Sequence, residues 1–234
     1  MNFATDLIPA RLLRRYKRFL ADMRLSDGRE VVAHCPNPGS MLGLATPGAA
    51  CWLSAKTAKG RKLDFGWELV TAESGALVGI NTGWANRIVA EGLAAGSFPG
   101  LPQDGHWRAE AQFGPGTRFD FRHEAADGAL IYLEVKSVTL SRQPGLAEFP
   151  DSRTERGAKH LRELAVAKAQ GHRAVLLFLA QRGDCRSLAM AGDIDPAYAS
   201  ALETARAAGI EVMARACNVS PDGIFLSDAM SLQC

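Results

Sequence analysis

The feature that most constrains this chain is a run of seven apolar residues, Ala174 to Ala180, set between polar and glycine-bearing segments. Spanning a bilayer as a helix takes roughly 20 apolar residues, so this run is far too short for that. It offers no polar face to solvent either, and it reads as a strand buried on both sides. Such a strand needs helices to cover it, and the flanking sequence supplies them. Thr154 to Gln170 repeats apolar residues at Ala158, Leu161, Leu164 and Ala165 and stops at Gly171, the pattern of a helix with a glycine after its last turn. Pro196 to Ala208 opens on an Asp-Pro helix start and leads into a further strand, Ile210 to Ala216. Helix, strand, helix, strand in this order implies strands running parallel through helical crossovers.

Upstream, a helical stretch is expected near Ala85 to Ala95, followed by strands near Trp107 to Phe113, Arg118 to His123 and Leu130 to Val138. Before Asn81 the chain breaks into short strands with glycine-bearing turns: Phe19 to Arg24, Glu30 to His34, Ala50 to Ala55, Leu63 to Thr71 and Ala76 to Ile80. Five short strands in this space suggest a small β-barrel. The expected division is therefore 1–80, a barrel, and 81–234, an α/β unit.

With 47% hydrophobic and 22% charged residues the chain is rich enough in apolar side chains to exclude global disorder. Arg11, Arg14, Arg15, Lys17 and Arg18 occupy the place where a secretory signal would carry its apolar core, so a cytoplasmic setting with no membrane span is expected. Cys35, Cys51, Cys185, Cys217 and Cys234 form no C-x-x-C pair and are widely spaced, which argues for reduced, mostly buried thiols and against zinc or a disulfide framework. Net charge is +2, divided unevenly as +4 over 1–80 and −2 over 81–234. The basic excess at the N-terminal end permits contact with nucleic acid.

Side chains alternate along a strand, so Arg118, Asp120 and Arg122 share one face and Phe119 and Phe121 the other. On the next strand Leu130, Tyr132, Glu134 and Lys136 lie opposite to Ile131, Leu133 and Val135. Burying both apolar faces in a hairpin through Ala125 to Gly128 requires paired residue numbers with an even sum, which sets Asp120 against Glu134 or Lys136 and predicts a three- or five-residue loop, or a bulge. Two carboxylates about 5 Å apart repel by roughly 3 kcal/mol at an effective dielectric of 20. Either a divalent cation held by Asp120 and Glu134 beside Lys136 relieves this, or Arg118, Arg122 and Lys136 neutralise the acids on an ordinary wet hairpin face.

The strings HCPNPGSM (His34 to Met41), GINTGWAN (Gly79 to Asn86), RFDF (Arg118 to Phe121), EVKSVTL (Glu134 to Leu140), FPDSRTERGAKHLREL (Phe149 to Leu164) and DIDPAY (Asp193 to Tyr198) resemble, in this order, the bacterial sugar fermentation stimulation protein A family. The resemblance implies an OB-fold-like barrel followed by a domain similar to the PD-(D/E)XK nucleases, DNA binding, and a role in regulating sugar, notably maltose, utilisation genes. Carried onto this sequence, the nuclease acids are Asp120 and Glu134 and the lysine is Lys136, with Mg²⁺ or Mn²⁺ as the implied cofactor. Glu91 on the preceding helix is the first candidate for a third acid and Glu110 the second. Phe119 stands where the signature has proline, and Ser152 where the family often has alanine. Those departures keep open a non-catalytic DNA-binding regulator on an inherited nuclease-like fold.

Arg153, Arg156 and His160 fall on one stripe at the start of a helix and are candidate phosphate contacts, against a plainer reading as a solvated face salt-bridged by Glu155 and Glu163. Arg11, Arg14, Arg15, Tyr16, Lys17 and Arg18 mix cations with an aromatic ring, a combination suited to tracking a DNA backbone. Arg118 completes the set of candidate DNA contacts. His34, Asn37 and Ser40 are read as parts of a rigid turn set by Pro36, Pro38 and Gly39.

Overall fold

A computed structural model describes residues 1–55, 62–104, 106–114, 116–125 and 128–233. Ala126 and Asp127 of the expected hairpin turn, and Cys234, lie outside the described residues. Six strands come first: β1 (Ile8–Tyr16), β2 (Leu20–Leu25), β3 (Glu30–His34), β4 (Ala50–Ala55), β5 (Phe65–Thr71) and β6 (Leu77–Gly79). Antiparallel pairing links β3 to β2, β2 to β1, β1 to β4 and β4 to β5, and a short parallel pairing of β3 with β5 closes the ring. The result is the five-stranded Greek-key barrel of the OB fold, with β6 added on β5. Leu12, Met23, Leu53 and Trp67 fill it and are fully buried.

Sequence reading did not anticipate β1. Its arginines mask the alternation that sends Ala10 and Leu12 inward, and a register shift between Leu12 and Arg14 breaks the period just where a regular strand would have declared itself.

The rest of the chain runs α1 (Trp84–Ala94), β7 (Trp107–Gln112), β8 (Arg118–Glu124), β9 (Leu130–Val138), β10 (Leu140–Gln143), β11 (Leu146–Phe149), α2 (Glu155–Ala169), β12 (Arg173–Ala180), β13 (Ser187–Met190), α3 (Pro196–Ala207), β14 (Glu211–Ser220), β15 (Gly223–Ala229) and β16 (Ser231–Leu232). A six-stranded sheet in the order β15-β14-β12-β9-β8-β7 has the apolar run at its centre, and β9, β12 and β14 are parallel as the crossovers require. Alternate residues of β12 feed two cores: Leu176 and Phe178 pack with α2 and α3, while Val175, Leu177 and Leu179 pack on the side of α1. A small sheet, β10-β11-β13-β16, stands beside the large one. These four strands and β15 were not foreseen, being short or lacking a clean alternation.

Helix ends follow their local chemistry. The Thr154 hydroxyl accepts the Gly157 N–H at 3.0 Å, and the Asp195 carboxylate accepts the Tyr198 N–H at 3.0 Å ahead of Pro196. Gly171 takes φ +88° after α2, a conformation that a side chain would strain.

In the β8–β9 hairpin Phe121 lies opposite Leu133 and Glu124 opposite Leu130, the even-sum register, with five residues between the last partners. One expectation fails here. Phe119 and Phe121 do not share a face: Phe119 packs against Tyr132, ring centroids 5.3 Å apart, in the α2–α3 core, whereas Phe121 joins Ile131 and Leu133 in the α1 core. The β8–β9 ladder ends at Phe121, and just beyond it the Asp120 carboxylate takes the Val135 N–H.

The barrel seats on the sheet through buried polar contacts. The Gly79 N–H donates to the Gln181 carbonyl at 2.8 Å, and the Gln181 amide donates to the Asn81 carbonyl and to Ser137 Oγ at 3.1 and 2.8 Å. The Met41 N–H donates to the Asp151 carboxylate at 3.1 Å. Arg15 serves the same junction, donating to the carbonyls of Asn37, Gly39 and Ser40.

Candidate active site

Asp120 and Glu134 meet where β8 leaves β9. One Asp120 oxygen accepts the Val135 N–H at 2.7 Å and the other accepts the Asn86 side-chain amide of α1 at 2.7 Å. Glu134 is buried; its Oε1 accepts from Lys136 Nζ at 2.6 Å and from His160 Nδ1, while its Oε2, also buried, has no partner. Lys136 Nζ lies 3.5 Å from the same imidazole nitrogen, and Arg156 Nε faces the other ring nitrogen at 3.4 Å. A cleft of about 590 Å³ opens on this group, with Glu110, Arg118, Asp120, Lys136, Arg156 and Lys159 among its walls. Behind it a second cleft of about 400 Å³ runs between barrel and sheet and shares Val135 and Lys136 with the first.

Burial and the charge of Glu134 push the Asp120 carboxyl up to about 6 from its usual 3.8. Burial also opposes ionisation of Glu134, but the His160 hydrogen bond and the neighbouring Lys136 and His160 outweigh it and hold that carboxyl below its ordinary range. Of the two acids, Asp120 is therefore the one that keeps its proton to higher pH. A carboxyl raised in the folded state makes folding less favourable as pH climbs from about 4, where both states are protonated, through about 6, where the folded state must ionise. Asp120→Asn removes that penalty. It is expected to stabilise the protein by about 1–2 kcal/mol at pH 7, the gain vanishing toward pH 4, since part of the roughly 3 kcal/mol implied by the shift is given back in a lost acceptor. Urea midpoints of the two proteins that coincide at pH 7 would refute a strained carboxyl.

Of the candidate third acids, Glu91 lies elsewhere: its carboxylate pairs with the Met1 ammonium at 2.9 Å and with Arg87 at 3.4 Å, on a different side of α1 from the residue that does reach the site. That residue is Asn86, and Glu110 stands in the cleft wall, paired to Arg118 at 3.0 Å. Asn86 lies within the string GINTGWAN, but as an amide it gives no acidic signal that singles it out. Among the described residues no cluster of three or more His, Cys, Asp and Glu side chains is placed to hold a metal ion.

The basic candidates separate. Arg118 and Arg156 line the first cleft, Arg18 and Arg153 the second. His160 is buried and belongs to Glu134, so it is a partner of the acid rather than an open phosphate contact; a spacing argument sees the stripe but not which side of it faces the sheet. Arg14 pairs with Asp22 at 2.7 Å on the barrel surface, and Arg11 donates to the Gly48 carbonyl. Glu163 binds Lys159 at 3.5 Å and accepts from the Thr117 hydroxyl.

Fold and cleft define a protein class in which an OB barrel is built against an α/β sheet that presents an acid pair and a lysine. The profile of the SfsA N-terminal OB domain matches residues 13–80 and that of the Sugar fermentation stimulation protein RE domain residues 83–223. The chain belongs to the sugar fermentation stimulation protein family. A Sugar fermentation stimulation protein homolog from Ruegeria pomeroyi is 52% identical over 98% of this chain and 100% of its own length, and one from Rhodospirillum centenum is 50% identical over 99% of each. Among solved structures, Pyrococcus furiosus SfsA in complex with Ca²⁺ superposes with a TM-score of 0.88 at 24% identity, covering 100% of this chain and 98% of that one.

Proposed function

We propose that this protein binds DNA and hydrolyses its phosphodiester bonds with a divalent cation, Mg²⁺ or Mn²⁺, at Asp120 and Glu134. The observation that carries the reading is the buried, partnerless Oε2 of Glu134 beside Asp120, whose carboxyl burial and the Glu134 charge push up to about 6. A cation relieves both conditions at once. Two carboxylates suit Mg²⁺, which is commonly held by one or two acids with water and substrate phosphate completing its shell. Pyrococcus furiosus SfsA was solved in complex with Ca²⁺, which supports a divalent cation as a ligand here as well. When bound, such an ion supplies charge neutralisation of the phosphate and a more acidic water.

The protein's own groups have separate tasks. Asn86 and the Val135 N–H aim the Asp120 carboxylate into the cleft. His160 and Lys136 keep Glu134 ionised, and the Lys136 ammonium, which reaches both clefts, holds the attacking water or the scissile phosphate. Arg118 and Arg156 steady phosphate on one side, and Arg18 and Arg153 the DNA backbone on the other. Helices give no reason to place the protein in a membrane, none among the described residues being long and apolar enough to cross one. The buried free thiols Cys35, Cys51, Cys185 and Cys217 support a cytoplasmic setting.

Glu134 Oε1 is already met by Lys136 and His160, an internal neutralisation that favours a second reading, a DNA-binding regulator of sugar (maltose) utilisation genes without turnover. Incubation with supercoiled and linear DNA in Mg²⁺, Mn²⁺ or EDTA decides between them. Metal-dependent nicking supports the first; salt-sensitive binding that persists in EDTA without nicking leaves only the second.

A further inference from the structure

The β1–β2 turn carries an oddity that the acid site does not use. Lys17 and Arg18 both take positive φ, 48° and 63°, a conformation uncommon for long side chains, and the turn they make presents Phe19 to solvent with 43% of its surface exposed. The Phe19 backbone is fixed, its carbonyl accepting the Cys35 N–H at 2.8 Å. Its ring stacks on exposed His34 of β3, centroids 6.4 Å apart and planes 26° from parallel. Behind it, Arg18 lines the cleft that runs between barrel and sheet to Arg153 and Lys136.

We infer that Phe19 and His34 form a stacking platform for an unpaired base, and that the proposed DNA-binding function acts on single-stranded DNA whose backbone then follows Arg18 and Arg153 to Lys136. An exposed aromatic ring beside cations, continuous with a cleft that ends at a phosphate-handling lysine, matches unpaired DNA in both surfaces: a free π-face for the ring and a phosphate chain for the arginines. Duplex DNA keeps its bases stacked on each other and has no face to offer. The inference rests on the DNA-binding reading and sharpens it.

The test is fluorescence anisotropy in EDTA with a labelled oligothymidylate and a labelled two-strand DNA duplex, for the wild type, Phe19→Ala and Phe19→Trp. We expect the wild type to prefer the oligothymidylate, Phe19→Ala to weaken that binding by roughly tenfold with its duplex binding and thermal midpoint unchanged, and Phe19→Trp to restore it. Equal oligothymidylate affinity of wild type and Phe19→Ala overturns the platform and leaves the DNA reading standing. A wild type that binds neither DNA overturns both. Tighter binding of an oligouridylate than of the oligothymidylate overturns DNA as the occupant.

Discussion

Asp120→Ala and Glu134→Gln are each expected to lower Mg²⁺-dependent cleavage of DNA by at least about a thousandfold, which corresponds to about 4 kcal/mol of barrier. The two losses should not add, because on the proposed mechanism Asp120 and Glu134 would hold one cation together and either variant would disable the same step. The variants differ in what else they disturb. Asp120→Ala frees two donors, the Val135 N–H and the Asn86 amide, at a cleft wall where water can reach them. Glu134→Gln keeps the shape of a buried side chain, whereas Glu134→Ala strips Lys136 and His160 of their shared acceptor and is expected to cost about 3–5 kcal/mol of stability as well. Cleavage by Asp120→Ala or Glu134→Gln at the wild-type rate would move the chemistry out of this cleft.

The second large effect lies away from the cleft. Glu68 of β5 is wholly buried and accepts hydrogen bonds from Ser54 Oγ at 2.5 Å, Asn81 Nδ2 at 2.8 Å and Trp84 Nε1 at 2.6 Å. Those donors belong to the barrel, to the segment leaving it and to the first turn of α1, so one carboxyl ties the barrel to the helix that carries Asn86. Glu68→Ala leaves the donors buried without it, and a loss of about 3–5 kcal/mol follows, or roughly 10 °C in Tm for a chain of this size. Calorimetry checks it. A Tm within about 2 °C of wild type would mean that water replaces the carboxyl.

Much of the architecture was legible because its causes are local. The apolar run announced a central strand, Thr154 with Gly171 and Asp195 with Pro196 announced two helices, and the parity of apolar residues announced the hairpin register. Resemblance in six short strings indicated the OB barrel and the family. β1 and the strands of the small sheet stayed hidden, since an arginine-rich strand with a register shift, like strands of two to four residues, has no period to read.

At the cleft the division runs between residue types and their surroundings. Sequence supplied Asp120, Glu134 and Lys136 and the alternation that puts Glu134 and Lys136 on one face of β9. Only the folded chain decided that Phe119 crosses to the other core, that Asn86 rather than Glu91 comes from α1, and that His160 is spent on Glu134. Which atoms meet across 15 to 50 positions of chain depends on where the ladder breaks and on how helices pack over it. Those are non-local balances of burial and hydrogen bonding that no spacing encodes.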